Sequence, residues 1–476
     1  KIDDKEVMVP KGTTILEAAK SVGVTVPHYC YHPGLSIAGN CRMCLVEVEK
    51  MPKPMIGCNT VVTEGMVVTT QSPKVKQMQK SVMEFLLINH PLDCPTCDQS
   101  GECRLQDYYM DYDEVPTRFE EEKVHKDKMI DLGANVMLDQ ERCIACTRCI
   151  RVCQEVAKKD ELCLANRGDH VTITTFPGKE LSNPYAGNTI DVCPVGALTN
   201  KDFRYKKRVW LLSRTESVCP GCSRGCNIEI NHADSTVYRL LPRHNPEVNS
   251  YWMCDEGRYG YKNVNENRWL IPKIRVSGAL QEISYEDALE KLAERLQQAQ
   301  EIALVAHARE TNETLAAFHA FGKNVLKTKK LYFSRNEPKN PFFDDFLITV
   351  DKNPNQASID ALGFEPLEKL DKAKGVIILN DLSPADLDWL KQKKIPVLAL
   401  WAANQNAVCD LAEIIFPIPT YAEQDGHFTN VQGKVQKISR AFAPKGEAQP
   451  VVYSLKILSE MMCHPERSEG SFRHAG

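Results

Sequence analysis

Long apolar runs are missing from this 476-residue chain. No stretch approaches the roughly 18 residues needed to span a bilayer, so any membrane attachment is expected to come through a partner. Charge of one sign is missing too. Lys and Arg number 59 against 63 Asp and Glu, a net charge of −4, without the basic clustering of a nucleic-acid binder. The short basic run Arg204 to Arg208 reads as a solvated face or a protein contact. No G-x-G-x-x-G follows a strand-like segment, which excludes the usual dinucleotide or flavin fingerprint. The opening KIDDKEVMVPKG is charged and reads as a strand and a turn, not as a secretory leader. A chain this long exceeds what one core supports, so several domains are expected.

Cysteine is what the chain has in abundance. There are 19, and only Cys409 and Cys463 lie beyond Cys254. A disulfide scaffold would be short and secreted. In a long chain of cytosolic character, thiols stay reduced and clustered cysteines point to metal ligation. Spacing then has to choose between zinc and iron–sulfur clusters.

Cys30, Cys41, Cys44 and Cys58 follow the pattern C-x10-C-x2-C-x13-C. One knuckle and two isolated cysteines do not make a zinc ribbon, which pairs two knuckles. They do make a ferredoxin-like 2Fe–2S arrangement, with a longer gap after the first ligand than in the plant-type run. Gly34 and Gly39 let the loop bring amides close to sulfur. The flanks CLVEVE and VVTEGMVVTT alternate like strands. TTILEAAKSVG reads as a short helix capped near Thr13 or Thr14 and ended near Gly23. Strands and one helix around a cysteine loop predict a β-grasp ferredoxin.

His90, Cys94, Cys97 and Cys103 follow H-x3-C-x2-C-x5-C after the helix-like SVMEFLLINH. Taken alone, this set fits a three-cysteine, one-histidine zinc site as well as a 4Fe–4S cluster. In a cluster, a neutral imidazole in place of a thiolate would lower the negative charge and tune the potential. Cys143, Cys146, Cys149 and Cys153 form the bacterial ferredoxin run C-x2-C-x2-C-x3-C, in which the fourth cysteine serves another cluster. A second full run is absent, and Cys193, followed by Pro194, is expected to complete the cluster of Cys143, Cys146 and Cys149. That leaves Cys153 an orphan and Cys163 a small buried hydrophobe. Cys219, Cys222, Cys226 and Cys254 form the last set, C-x2-C-x3-C-x27-C. Zinc fits two separated halves, but beside the other sets a third 4Fe–4S cluster is favoured.

The runs CYHPGLSIAGNCRMCLVEVE, HPLDCPTCDQSGECRLQD, ERCIACTRCIRVC and DVCPVGALT resemble the large iron–sulfur subunit of bacterial NADH:quinone oxidoreductase, respiratory complex I, over residues 1 to about 270. The resemblance implies one 2Fe–2S cluster, one 4Fe–4S cluster with a histidine ligand and an all-cysteine 4Fe–4S cluster on the electron path. It implies a fourth cluster, found in some members, off the main path. It implies partners in the peripheral arm: a flavin- and NADH-binding subunit and iron–sulfur subunits on the quinone side. The complex would lie against the cytoplasmic side of the inner membrane. This chain would then relay electrons toward quinone with no complete active site of its own.

Beyond residue 272, EIALVA, KLYF, KGVIILN and IPVLALW read as short buried strands, with helices such as YEDALEKLAERLQQAQ between them. That alternation predicts an α/β domain with a parallel sheet. YAEQDGHFTNVQGKVQ resembles a segment of molybdopterin oxidoreductases. Those enzymes carry Cys-x-Lys-Gly after the last cluster cysteine, whereas Cys254 is followed by Asp255, Glu256 and Gly257. A shortened, degenerate domain without molybdopterin is therefore expected, with Cys409 a core cysteine. The chain is expected to divide into a 2Fe–2S β-grasp domain (1–75), the histidine-containing 4Fe–4S segment (76–125) and a ferredoxin-like 4Fe–4S domain (126–212). An all-cysteine 4Fe–4S domain (213–272), the α/β domain (273–460) and a polar tail (461–476) follow. Rival readings are a formate dehydrogenase chain or a hydrogenase-associated chain, both needing two complete ferredoxin runs. A zinc-stabilised scaffold is the third, and it would be colourless.

Overall fold

A computed structural model describes residues 1–113, 116–338, 342–367 and 373–463. The chain forms two compact units that meet at Leu212 and Ser213. The polar tail expected from residue 461 lies outside the described residues after Cys463.

The first unit is built from short elements. Helix α1 (Ile15–Ser21) starts where Thr14 accepts the amide of Glu17, an ordinary N-cap. Strand β1 (Leu45–Val48) pairs antiparallel with β2 (Met55–Ile56) and with β3 (Val68–Thr69). Alternate residues Val46 and Val48 are buried and face the apolar side of α1, with Ile15, Leu16 and Ala19 in the same core. The opening segment is less regular than its sequence suggests: Ile2 makes only single bridges, to Val68 and to Lys5. Helix α2 (Pro73–Leu87) is capped by Ser72 with proline in its first turn. Helix α3 (Arg104–Tyr112) begins at Cys103. A second small sheet holds β4 (Ile130–Asp131) and β5 (Val136–Leu138). Helix α4 (Arg148–Arg151) runs into a π-turn over Val152–Val156. A hairpin of β6 (Cys163–Ala165) and β7 (Thr172–Thr174) follows. After helix α5 (Asn188–Asp191), strand β8 (Leu198–Asn200) closes the β4–β5 sheet.

The second unit opens with an antiparallel meander of β9 (Ser213–Val218), β10 (Asn227–Ala233) and β11 (Thr236–Pro242). Short helices α6 (Asp255–Tyr259) and α7 (Lys262–Asn265) follow. An eight-stranded sheet then fills the unit. Its hairpin β12 (Lys273–Val276) and β13 (Ala279–Glu282) flanks helix-separated strands β14 (Ile302–His307), β15 (Leu331–Ser334), β16 (Glu365–Pro366), β17 (Gly375–Leu379), β18 (Val397–Ala402) and β19 (Ile414–Pro417). These last six are mutually parallel in the order β19-β18-β17-β14-β15-β16. Strands β14, β17, β18 and β19 are buried at every position, as expected of parallel strands covered on both faces. Helices α8 (Tyr285–Gln298), α9 (Asn312–Ala320), α10 (Gln356–Leu362), α11 (Pro384–Lys391) and α12 (Val451–Cys463) accompany the sheet, and α8, α9 and α12 bury apolar faces in one core with it. A hairpin of β20 (Gly426–Thr429) and β21 (Val435–Ile438) completes it.

Strand order reverses between β17 and β14, so a crevice opens at the carboxyl ends of these strands, the usual ligand position of such sheets. Trp401 on β18 stacks on Phe416 of β19 with centroids 4.7 Å apart, and Tyr285 of α8 packs on Phe416 at 5.4 Å. Trp401→Ala is expected to destabilise the second unit by about 3–5 kcal/mol. Denaturant unfolding of the loaded protein checks this; a loss below about 1 kcal/mol would mean that this stack does not anchor the sheet.

Candidate iron–sulfur sites

The first set gathers on the loops around α1 and β1. Cys30, Cys44 and Cys58 are buried, and the Cys30 amide donates to Cys41 Sγ at 3.5 Å. Gly39 and Arg42 hold left-handed backbone on either side of Cys41. The thiols touch one another. Their mutual hydrogen bonds push Cys41 and Cys58 up while pulling Cys30 and Cys44 down. Four such groups therefore cannot all ionise together without added positive charge.

His90, Cys94, Cys97 and Cys103 line one cavity of about 300 Å³, together with Arg142 and Gly196. His90 lies just past the end of α2, where Lys123 donates to the carbonyls of Leu87 and Ile88 at 2.8 and 2.7 Å. Burial, with the charges of Arg142 and Lys123, pulls the His90 imidazole down to about 4. The ring is thus neutral and keeps a lone pair for a metal. Cys103 is the N-cap of α3, a place that favours a thiolate, although burial pushes it up to about 11. Arg208 donates to Cys97 O at 2.7 Å and also holds Pro95 O. The basic run 204–208 is therefore partly a clamp on this loop, not only a solvated face. A Cβ added at Gly196 would lie 2.3 Å from Cys97 Sγ, so the sulfur occupies space that only glycine leaves open.

Cys143, Cys146, Cys149 and Cys193 line a cavity of about 360 Å³ walled by Leu138, Ile144, Ile173 and Val195. Left-handed Ala145 and Thr147 turn the loop between the cysteines. Burial pushes Cys143 up to about 12 and Cys146 up to about 11, and raises Cys149 and Cys193 as well. Cys153 lies off this cavity, buried in the π-turn, where Asn183 Nδ2 approaches its Sγ at 3.9 Å. Cys163 differs from expectation: on the two-stranded β6–β7 ribbon it is half-buried.

Cys219, Cys222, Cys226 and Cys254 line a cavity of about 330 Å³. The first and third are joined by a Cys219 N to Cys226 O bond of 2.8 Å at the β9–β10 edge. Cys254 caps α6, its Sγ accepting the Gly257 amide at 3.3 Å, and burial pushes it up to about 12. A Cβ at Gly257 would stand 2.9 Å from Cys219 Sγ. The same cavity is lined by Lys352, whose ammonium pairs with Glu256 at 2.7 Å. A lysine thus stands at this site although Glu256 occupies the position expected for it. Its origin, 96 residues on from Glu256, left no local signal in the motif. Next to this cavity lies a cleft of about 930 Å³ at the strand-order reversal, lined by Cys219, Arg309, Glu310, Asn380 and Thr420. Cys409 lies in the core and accepts Trp269 Nε1 at 3.3 Å.

Three of the four sets thus each line one pocket, with every expected ligand on its wall. Among the described residues, no three Cys, His, Asp or Glu side chains converge closely enough to hold one metal ion.

Comparison with known proteins agrees with this architecture. A 2Fe-2S iron-sulfur cluster binding domain matches residues 1–73, and the NADH-ubiquinone oxidoreductase-G iron-sulfur binding region matches 79–113. The ferredoxin-like domain of NADH-quinone oxidoreductase subunit 3 matches 133–199. A molybdopterin oxidoreductase Fe4S4 domain matches 212–266, and a molybdopterin oxidoreductase domain matches 309–461. The chain therefore carries 2Fe–2S and 4Fe–4S cluster-binding domains followed by a molybdopterin-oxidoreductase-like domain. It is a relative of the G-type subunits of NADH-quinone oxidoreductase. The G-type protein of Rickettsia conorii is 42% identical over 352 residues, 74% of this chain and 51% of its own length. Its Streptomyces coelicolor namesake is 40% identical over 337 residues, 70% and 40%. The mitochondrial NADH-ubiquinone oxidoreductase 78 kDa subunit of Neurospora crassa is 44% identical over 299 residues, 62% and 40%. The chain spans about half the length of the curated relatives it matches. A chain of an NAD+-reducing NiFe-hydrogenase aligns with 44% of this chain and 89% of its own at 27% identity. Its TM-score of 0.40 is too low to define a common fold.

Glu310 sits 3% exposed at the cleft wall, where burial raises its carboxyl to about 7 despite a hydrogen bond from Asn380. A raised carboxyl favours the protonated folded state. Its contribution, roughly 3 kcal/mol, is fully present below the unfolded value and is lost as pH rises through about 7. Glu310→Gln should therefore flatten the pH dependence of stability between about pH 4.5 and 7; melting curves with an unchanged slope would contradict the assignment.

Proposed function

We propose that this chain is an electron-transfer subunit of an NADH:quinone oxidoreductase, the proton-translocating respiratory complex I. It would relay electrons from a flavin-bearing partner toward quinone. The observation that carries this reading is that three of the four sets each bring all four expected ligands to the wall of one pocket, while the thiols of the remaining set touch one another. The proposed ligands are Cys30, Cys41, Cys44 and Cys58 for a 2Fe–2S cluster, and His90, Cys94, Cys97 and Cys103 for the first of three 4Fe–4S clusters. Cys143, Cys146, Cys149 and Cys193, the third set, hold another 4Fe–4S cluster, and Cys219, Cys222, Cys226 and Cys254, the fourth set, hold the last. When bound, such clusters supply one-electron redox chemistry. The chain's residues supply thiolates and one neutral imidazole, exclude water with walls such as Leu138, Ile173 and Val195, and fix the loops through Arg208 and the two glycines. No residue here binds NADH or flavin in this reading; peripheral-arm partners do, and they also supply contact with the inner membrane on its cytoplasmic side. No helix among the described residues is long and apolar enough to cross a membrane. The last domain is read as degenerate and free of molybdopterin. A lysine ammonium, that of Lys352, nonetheless stands at the last cysteine set, paired with Glu256.

Iron and acid-labile sulfide assays on the purified complex test the ligand count. About 14 iron atoms per chain are expected from the cluster stoichiometry, with no molybdenum. Stoichiometric zinc with little iron would refute the reading, and bound molybdenum would refute the degenerate domain.

Single substitutions divide the ligands from the bystanders. Cys153→Ser should keep every cluster signal in electron paramagnetic resonance, while Cys193→Ser and Gly196→Ala should each remove one, from the third and second sets respectively. A signal lost with Cys153→Ser would place the ligand elsewhere. His90→Cys should retain a cluster at a lower potential, because a fourth thiolate favours the oxidised form; an unmoved potential would refute the tuning role.

A further inference from the structure

Arg148 and Arg151 stand one turn apart on α4, inside the third cysteine run, and both are buried, at 4% and 7% exposure. Each guanidinium reaches two cysteine loops. Arg151 Nη2 donates to Cys30 O at 2.6 Å and to Cys146 O at 3.3 Å, and its Nη1 donates to Ser36 O. Arg148 Nη1 donates at 3.1 Å to Val192 O, next to Cys193, and its Nη2 donates to Tyr31 O, next to Cys30. Both cations are thus shared between the first set and the third. A further tie is Asn40 Nδ2 to Ala145 O at 3.2 Å.

All of these acceptors are neutral carbonyls. Among the described residues neither arginine forms an ion pair, and the carboxylate of Glu155 is engaged by the amide and hydroxyl of Ser36. Burying a guanidinium without a counter-charge is strongly unfavourable, and two side by side repel. The close counter-charge is then anionic sulfur in the adjoining sets, the Glu155 carboxylate reaching Arg151 only through Ser36. Arg148 itself lines the third cavity.

We propose that Arg148 and Arg151 form a cationic bridge shared by the first and third clusters, which holds the reduction potentials of both up together. This rests on the ligand assignment above. One-electron reduction adds one negative charge to a cluster and takes up no proton in this scheme. A fixed positive charge nearby in a low-dielectric interior favours the reduced form. Because each guanidinium contacts both loops, the loss of either cation acts on two potentials at once. A purely structural clamp would depend on the hydrogen bonds and not on the charge.

The test is a redox titration, followed by electron paramagnetic resonance, of the complex carrying Arg148→Gln, Arg151→Gln, Arg148→Lys or Arg151→Lys. Glutamine keeps a donor and removes the charge; lysine keeps the charge and removes the fork. Each glutamine variant should lower the reduced-to-oxidised ratio of both clusters about tenfold at fixed potential, 59 mV for one electron, and leave the second and fourth clusters unmoved. Each lysine variant should hold both ratios within about threefold of the unsubstituted protein. Glutamine variants with both potentials unmoved, or with only one moved, overturn the shared bridge. If a glutamine variant loses its clusters, the lysine variants decide: retained potentials support the proposal and a tenfold fall in both overturns it. Unsubstituted protein lacking iron–sulfur signals would refute the ligand assignment itself, a failure separable from the others because it appears before any substitution.

Discussion

Thiols gathered in a dry cavity resist ionisation, and much of this chain is arranged around that constraint. Burial raises all four thiols of the third set, and Cys219, Cys226 and Cys254 of the fourth, above the ordinary thiol range. A multinuclear iron centre offsets the cost of four neighbouring thiolates, and ligation then becomes folding free energy. The surrounding loops are short, their backbone is turned by left-handed residues such as Ala145 and Thr147, and several are fastened by arginine to carbonyl contacts. Such loops have little core of their own. In the proposed reading the clusters are therefore structural as well as electronic.

The two units solve this constraint differently. In residues 1–212 the sheets are two- and three-stranded, and a core of Leu138, Val195, Leu198 and their neighbours packs directly against the cysteines. Apolar walls there line the pocket of the third set. From Ser213 onward, a large parallel sheet carries the stability and the cysteine set sits at its margin, between the β9–β10 edge and α6. That set has charge beside it in Lys352 and Glu256, and a polar cleft beyond it. The contrast follows the family matches, cluster-binding regions in the first unit and a molybdopterin-oxidoreductase-like domain in the second.

Much of this was legible from residue order alone because ligand spacing is local. The C-x2-C knuckles and the placement of His90 after a helix come from intervals within a few residues. The buried strands β14, β15, β17 and β18 were legible because parallel strands read as continuous apolar runs. Other features were not. Strand β9 is mostly exposed over its first four residues, so SRTESV carries no strong periodicity, and the opening KIDDKEV looked like a strand but forms isolated bridges. Cys163 looked like a core residue and lies half-buried on a ribbon. Lys352 reaches its cavity only through tertiary folding. Arg148 and Arg151 were visible inside CTRCIRVC, yet nothing in the spacing says that their guanidinium groups turn toward the loop of Cys30. Gly196 gave a weaker hint, since a glycine two residues after Cys193-Pro194 marks a close approach without naming what approaches.

The central claim is that these four sets hold iron–sulfur clusters and not zinc or protonated thiols. Anomalous diffraction from crystals of the purified complex, recorded on both sides of the iron edge, addresses it directly. The account predicts four iron peaks in this chain, one within each set of ligands named above, with the third peak bounded by Cys193 and away from Cys153. Peaks at the zinc edge in those positions, or a set with no metal peak in fully loaded protein, would contradict it.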